Sequence, residues 1–364
     1  MISTFLDLYF KLGQILCYTP SYTKPKTTFL QILYSFILST FLTVALGITI
    51  SNRNFYGDYN YIKTAVSALL DFTLLTFNYS IILVVLCKEQ QWKLLTDSIR
   101  TITTKYNKGR KYRYLILVFV VAHCTGWLVI ALSFKAFLEF YGMWYFKNYN
   151  IQYLQLGLLF SYNMFLCLIV ALIWFMYKEV KVSLRKTLSD DVAKNVLYVV
   201  TNLDDSLCFL KDTVDVFNEI FAWPITLLIF HTNLQIINDS YGIFVKSSSF
   251  FRNGEHFVKE LTADISVVVI IFIAASVLIF LCDLVLNEAE SVLSISHRLR
   301  KKFRNSTSDV KEELYEFTNS VIDNFPKFSV ARFFEIRRSN LLNILGTVAT
   351  FLIIMIQFRG KHDE

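Results

Sequence analysis

Three ionisable side chains lie inside long apolar runs of this chain: Asp71, Lys135 and His231. A charge at membrane depth is costly and is usually paired or turned toward a cavity. By residue count Asp71 and Lys135 sit roughly 7–10 Å below the same membrane surface, so they are candidates to face each other or a shared cavity. The competing arrangement has Lys135 snorkelling to the interface and Asp71 neutralised. His231 opens the run His231-Thr232-Asn233-Leu234-Gln235, which is polar for a membrane helix. Near these levels Trp127, Phe134, Tyr153, Gln155, Tyr162 and Asn163 offer stacking faces and hydrogen-bonding groups. Such a set suits noncovalent capture of a small organic molecule, with Asp71, Trp127, Lys135, Tyr162, Asn163, His231 and Asn233 as the candidate contacts. Close to the end of the chain, Gln357 and Phe358 follow five aliphatic positions. Lipid does not reward an amide there, so Gln357 is expected to face protein or a water-filled path. The alternative is a helix-terminal polar residue beside an interfacial aromatic anchor. Covalent chemistry is not indicated: there is no phosphate loop, no HExxH, no Ser/His/Asp grouping and no His/Cys spacing for a metal. No enzyme activity and no cofactor are expected.

The elements that carry these residues are membrane helices. Hydrophobic residues make up 54% of the chain, mean hydropathy is +0.46, and there are four prolines in 364 residues. Seven apolar runs can be drawn, at 28–50, 65–87, 114–138, 151–177, 220–238, 265–286 and 339–358. The expected fold class is all-α, a polytopic protein with seven transmembrane helices. The fifth run is the least regular, with Glu219 at its start, Pro224 in its first turn and His231 inside. The first 28 residues show no small-residue cleavage pattern, so no signal peptide is expected.

Lys and Arg set the expected orientation. Twenty-seven fall in the N-terminal segment and the loops after runs two, four and six, against eight in the alternate loops and the tail. The first set is read as cytosolic, which puts the N-terminus inside and the C-terminus outside. The net charge of +7 is then a topology signal, and no nucleic-acid partner is expected. This polarity is opposite to that of G-protein-coupled receptors, whose acidic-Arg-Tyr and Asn-Pro-x-x-Tyr motifs are also missing. All six cysteines fall in membrane or cytosolic positions, so no structural disulfide is expected. The sequon at Asn238 is on the outer face but close to the membrane, and its glycosylation is left open.

Charge and periodicity divide the chain into a cytosolic segment 1–27, helices one to six with cytosolic extensions over 28–286, linker and anchor helices over 287–338, helix seven at 339–358 and an extracellular tail 359–364. The cytosolic stretches carry heptad seams: Leu203, Leu207, Leu210, Val214, Phe217, then Val292, Leu293, Leu299, Phe303, and after the polar break at 304–309 Leu314, Phe317, Val321 and Phe325. These seams fit either packing within one subunit or a platform between subunits. Tyr141, Trp144 and Tyr145 read as interfacial belt aromatics.

The segment Thr350-Phe351, five apolar residues, Gln357-Phe358 resembles the C-terminal signature of insect gustatory receptors, with Phe351 where that family usually has Tyr. The preceding 328–342, FSVARFFEIRRSNLL, is similar to the segment before the last helix in that family. The resemblance implies a plasma-membrane taste receptor of chemosensory neurons. It implies a homo- or heterotetramer with other gustatory receptor subunits, working as a ligand-gated non-selective cation channel. A tastant would enter an outer cavity in each subunit, with Gln357 and Phe358 narrowing the shared pore. Thr350 and Phe351 would pack the pore helix against its neighbours. Sugar-sensing members tend to carry Glu after the Tyr position, where this chain has Leu352, which leans toward bitter compounds. The alternative from another class is a monomeric seven-helix receptor or transporter without its own pore.

Overall fold

The computed structural model describes residues 2–22, 28–52, 61–106, 110–189, 193–247, 254–330 and 334–359. In chain order the elements are α1 (Ile2–Ile15), α2 (Phe29–Asn52), α3 (Tyr61–Cys87), α4 (Glu89–Tyr106), α5 (Arg110–Tyr141), α6 (Met143–Ser189), α7 (Ala193–Ser247), α8 (Gly254–Lys302), α9 (Ser308–Asp323), a two-residue antiparallel pair β1 (Ser329–Val330) and β2 (Phe334–Glu335), and α10 (Ser339–Arg359). Six of these, α2, α3, α5, α6, α7 and α8, are long and apolar enough to cross a membrane. With α10, whose 21 residues span ~30 Å, they correspond one for one to the seven apolar runs.

α6 is the axis of the bundle. Its most apolar stretch is buried throughout, packed by α2, α5, α7 and α8. α2 and α5 bury only a narrow stripe and turn the rest outward, as lipid-facing helices do. α6, α7 and α8 continue past the membrane as helices of 47, 55 and 49 residues. α7 runs unbroken through the buried Pro224, which costs one backbone hydrogen bond, while the flanking Phe221 and Ile225 lock the turn into the core.

The extensions form a helical platform with α4 and α9. Leu207, Leu210, Val214 and Phe217 of α7, Val292, Leu299 and Phe303 of α8, and Leu314, Phe317 and Val321 of α9 all belong to one buried core. The heptad seams are therefore used up within the subunit. Lys181 of α6 pairs with Glu288 of α8 in the same region. The outward face of α8 remains open beside a groove of about 460 Å³ lined by Glu290, Leu293, Ser294, His297, Arg298 and Lys301.

Three elements have no counterpart among the sequence expectations. α1 is amphipathic and buries Leu6, Tyr9 and Phe10. It closes with Tyr18 and Thr19 donating their N–H groups to Gly13 O and Cys17 in the left-handed region at φ 57°. Gly13 is required by that closure: a Cβ there would lie 2.3 Å from Thr19 Oγ1. α4 buries Trp92, Leu95, Ile99 and Ile102 at helical spacing. The β1–β2 hairpin buries Phe328, Val330 and Ile336, with Ile336 N–H donating to Phe328 O.

Candidate ligand cavity and pore helix

Interhelical contacts place the sequence candidates at defined levels. α3 and α7 run antiparallel: Ser67 Oγ donates to Asn238 Oδ1 at 3.4 Å, and further down Lys88 Nζ donates to Glu219 O. Counting along both helices sets Asp71 beside residues 234–236 and His231 beside residues 74–76, about one turn apart. α6 joins through Tyr162, whose ring lies 5.4 Å from Phe77 and 6.2 Å from Phe221. Asp71 is six residues before Phe77 and Gln155 is seven before Tyr162, so Gln155 stands at the same level. Asp71, Gln155 and His231 thus form a polar layer across α3, α6 and α7, none of them more than 1% exposed.

Among the described residues, both ring nitrogens of His231 and both amide atoms of Gln155 have no hydrogen-bond partner in the protein. Two turns below, the same holds for Tyr162 Oη and Asn163 Oδ1. Each unmade buried hydrogen bond costs roughly 1–3 kcal/mol, so these groups favour a polar guest that bonds to them. Asn233 leaves Oδ1 unbonded while its Nδ2 donates to Ile229 O at 2.9 Å. Tyr162 itself is part of an aromatic floor with Tyr18, Phe77, Phe165 and Phe221.

Two candidates stand elsewhere. Lys135 is exposed, with 69% of its side chain accessible, and pairs at 3.5 Å with Glu139 one turn along its own helix. The carboxylate at the i+4 position meets Lys135 at the surface, apart from buried Asp71. Trp127 is held in a hydrogen-bonded network. Its indole N–H donates to Ser161 Oγ at 3.0 Å and lies 3.2 Å from His123 Nε2. Tyr9 of α1 closes the network, 3.3 Å from His123 Nδ1 and donating to Ser161 O at 3.2 Å. The indole also fills the space over Gly157, where a Cβ would come within 2.3 Å of it. That network seals α1 against α5 and α6.

The outer aromatics divide differently from the belt expectation. Trp144 and Tyr141 are exposed, as belt residues are, but Tyr145 is 8% exposed. Its ring stacks 4.7 Å from Tyr149 and 5.1 Å from Phe137, and its hydroxyl donates to Tyr153 Oη at 3.1 Å. Phe134 packs 5.0 Å from Tyr153, so both belong to this cluster.

α10 touches its own subunit along one stripe. Val348 and Leu352 pack on Ile236, Ile237 and Tyr241 of α7 and Val268 and Phe272 of α8, with Ile344 buried one turn earlier. Asn343, Gly346, Thr347, Thr350 and Gln357 are exposed. Asn343, Thr350 and Gln357 follow one another at intervals of seven and share the face opposite the packed stripe. Thr347 and Thr350 donate their hydroxyls to Asn343 O and Gly346 O, which lowers their cost at membrane depth. Thr350 is exposed and Phe351 is half-exposed, and neither belongs to the packed stripe. Phe358 lies in the helix, and its side chain is outside the described residues.

Known proteins place this architecture. No curated protein matches the chain in sequence. The structure of the insect olfactory receptor OR5 from Machilis hrabei in complex with eugenol superposes with a TM-score of 0.67 at 15% identity, covering 96% of this chain and 98% of the other. A second structure of that receptor gives a TM-score of 0.65 at 14% identity, with 98% of both chains covered. At these identities the likeness is one of fold, a multi-pass membrane protein of seven transmembrane helices. The family model described as 7tm Chemosensory receptor matches residues 6–361, and the protein belongs to that family of chemosensory receptors.

Proposed function

We propose that the protein is a gustatory receptor of the plasma membrane acting as a tetrameric, ligand-gated, non-selective cation channel. The observation that carries this reading is the polar stripe of α10. Among the described residues, Asn343, Thr350 and Gln357 point away from the apolar stripe by which α10 packs on α7 and α8. In lipid such a stripe is unfavourable, whereas around a fourfold axis it lines a water-filled path. Uncharged amides and hydroxyls along that path suit weak cation selectivity. The partners are other subunits of the same type or family, and the open face of α8 is surface left for them.

The polar layer of Asp71, Gln155 and His231 is the ligand site in this reading, with Asn163, Tyr162 and Asn233 nearby. Its amides, imidazole and aromatic floor fit a small molecule with a hydroxyl and an apolar ring. The eugenol named with the Machilis receptor is of that chemical kind. Leu352, where sugar-sensing relatives tend to carry Glu, favours a bitter compound. Orientation follows the charge asymmetry: a tag at the N-terminus is cytosolic and one after Glu364 is extracellular. Staining of intact cells that lights only the N-terminal tag reverses it.

The channel is tested by recording Phe358→Ala and Gln357→Glu at matched surface levels. Phe358→Ala removes four apolar side chains at one constriction and produces ligand-independent leak. Gln357→Glu places four carboxylates on the path and raises cation selectivity or divalent block. Closed conductance and permeation identical to the unsubstituted receptor in both variants would overturn the reading in favour of a poreless monomer.

A further inference from the structure

Among the described residues, two polar contacts tie the base of α10 to α7 and to α8. On the α7 side, Asn218 Nδ2 donates to Lys327 O at 2.6 Å and accepts from Ser329 N–H at 3.2 Å through Oδ1. This clamp fixes the β1–β2 hairpin, which is packed by Phe328 against Phe217 at 5.7 Å. On the α8 side a charged side chain makes the contact. Arg338, the residue before α10 begins, pairs with Asp283, and its guanidinium lies 5.7 Å from the Phe280 ring one turn away. Asn287, one turn further, donates to Asp283 Oδ2 at 2.9 Å and orients the carboxylate. The carboxylate is mostly buried, at 15% exposure, whereas Arg338 is half-exposed. Three successive turns of α8 therefore build a seat for one arginine.

Location gives this seat its meaning. α8 is a single rod that packs on α5, α6, α7 and α9, running from the far end of the bundle to the platform. α10 rests mainly on α7 and meets α8 little along its length. A displacement of α8 relative to α7 thus reaches the foot of α10 chiefly through Arg338, while the Asn218 clamp holds the hairpin as a pivot. A cation at the first turn of a helix is disfavoured by the helix dipole, so Arg338 is not there for α10's own stability.

We propose that the Arg338–Asp283 pair is the linkage between α8 and the pore helix, positioning α10 and setting its balance between closed and open. The proposal rests on the channel reading above for its functional half. Its test uses the full-length receptor without any ligand and two readouts. Asp283→Asn and Arg338→Gln each loosen the foot of α10, so backbone hydrogen exchange over residues 336–346 in the purified receptor rises. Ligand-independent sodium and potassium current per surface receptor rises as well, by roughly fivefold, the scale of one partly exposed charge pair. The exchanged pair Asp283→Arg with Arg338→Asp restores both toward the unsubstituted values. Lys135→Gln, which removes an exposed pair on α5, changes neither. Exchange that stays unchanged in both single variants, or a charge exchange that restores nothing, overturns the linkage. Exchange that rises with current unaltered overturns its role in gating. If exchange responds as expected but no variant and no unsubstituted receptor conducts, it is the channel reading that falls, and the linkage stands as a structural one.

Discussion

α6 and α10 are both uncharged over their membrane stretches, yet they occupy opposite situations. α6 is enclosed on all sides, and its polar residues Gln155, Ser161, Tyr162 and Asn163 are buried among other helices. α10 lies against the bundle by the line of Ile344, Val348 and Leu352 and leaves its polar residues outside. The difference teaches how to read polar groups at membrane depth. Polar atoms inside an enclosed helix ask for a guest within the subunit. Polar atoms on the outer face of a loosely held helix ask for other subunits or water. In the proposed function, α6 contributes to recognition and α10 to conduction.

The largest expected effect separates the two by stability. Phe165 of α6 is fully buried and contacts the rings of Tyr9, Phe10, Tyr18, Trp92 and Phe221. Phe165→Ala is expected to cost about 3–5 kcal/mol and to abolish surface expression. Leu345→Ala on the exposed side of α10 leaves folding of the single subunit intact. Equal loss of thermal stability in the two purified variants breaks the comparison.

The next effect sharpens it. His231→Ala and Asp71→Asn alter the polar layer without touching α10. Each is expected to shift agonist concentration dependence by about tenfold, the scale of one lost buried hydrogen bond. Unitary conductance remains unchanged. Thr350→Val on α10 does the reverse, altering permeation while leaving the agonist midpoint in place. A conductance change in His231→Ala, or a midpoint shift confined to Thr350→Val, merges the two roles.

The smallest effect is a control on Lys135. Its pair with Glu139 is exposed, so Lys135→Gln is expected to change stability by less than about 0.5 kcal/mol and to leave agonist midpoints within about twofold. A tenfold midpoint shift in that variant restores Lys135 to the ligand site.

The seven membrane helices were legible from the sequence alone, because a run of about twenty apolar residues can satisfy its backbone in lipid only as a helix. The same holds for the hydrophobic seams of the cytosolic stretches, whose spacing of three and four is local to one helix. The break between α8 and α9, at residues 303–307, and the restart of α9 overlap the polar run 304–309 of the chain itself. α1 and α4 escaped because each is amphipathic and short, with an apolar face that has meaning only against its partners.

Tertiary packing decided the rest, since a residue type does not state which neighbour it meets. Trp127 and Gln155 look alike as polar-edged candidates, yet one is bonded to Ser161 and the other has no side-chain partner among the described residues. Lys135 and Asp71 lie at similar depth, but the turn of each helix sends one to the surface and the other inward. The seams left open whether they join helices or subunits, and they close within one subunit. For α10, the sequence showed a membrane helix and an amide, Gln357, that lipid does not reward. The side on which it is packed, one narrow stripe opposite Asn343, Thr350 and Gln357, is set by the surfaces of α7 and α8, which the residues of α10 do not encode.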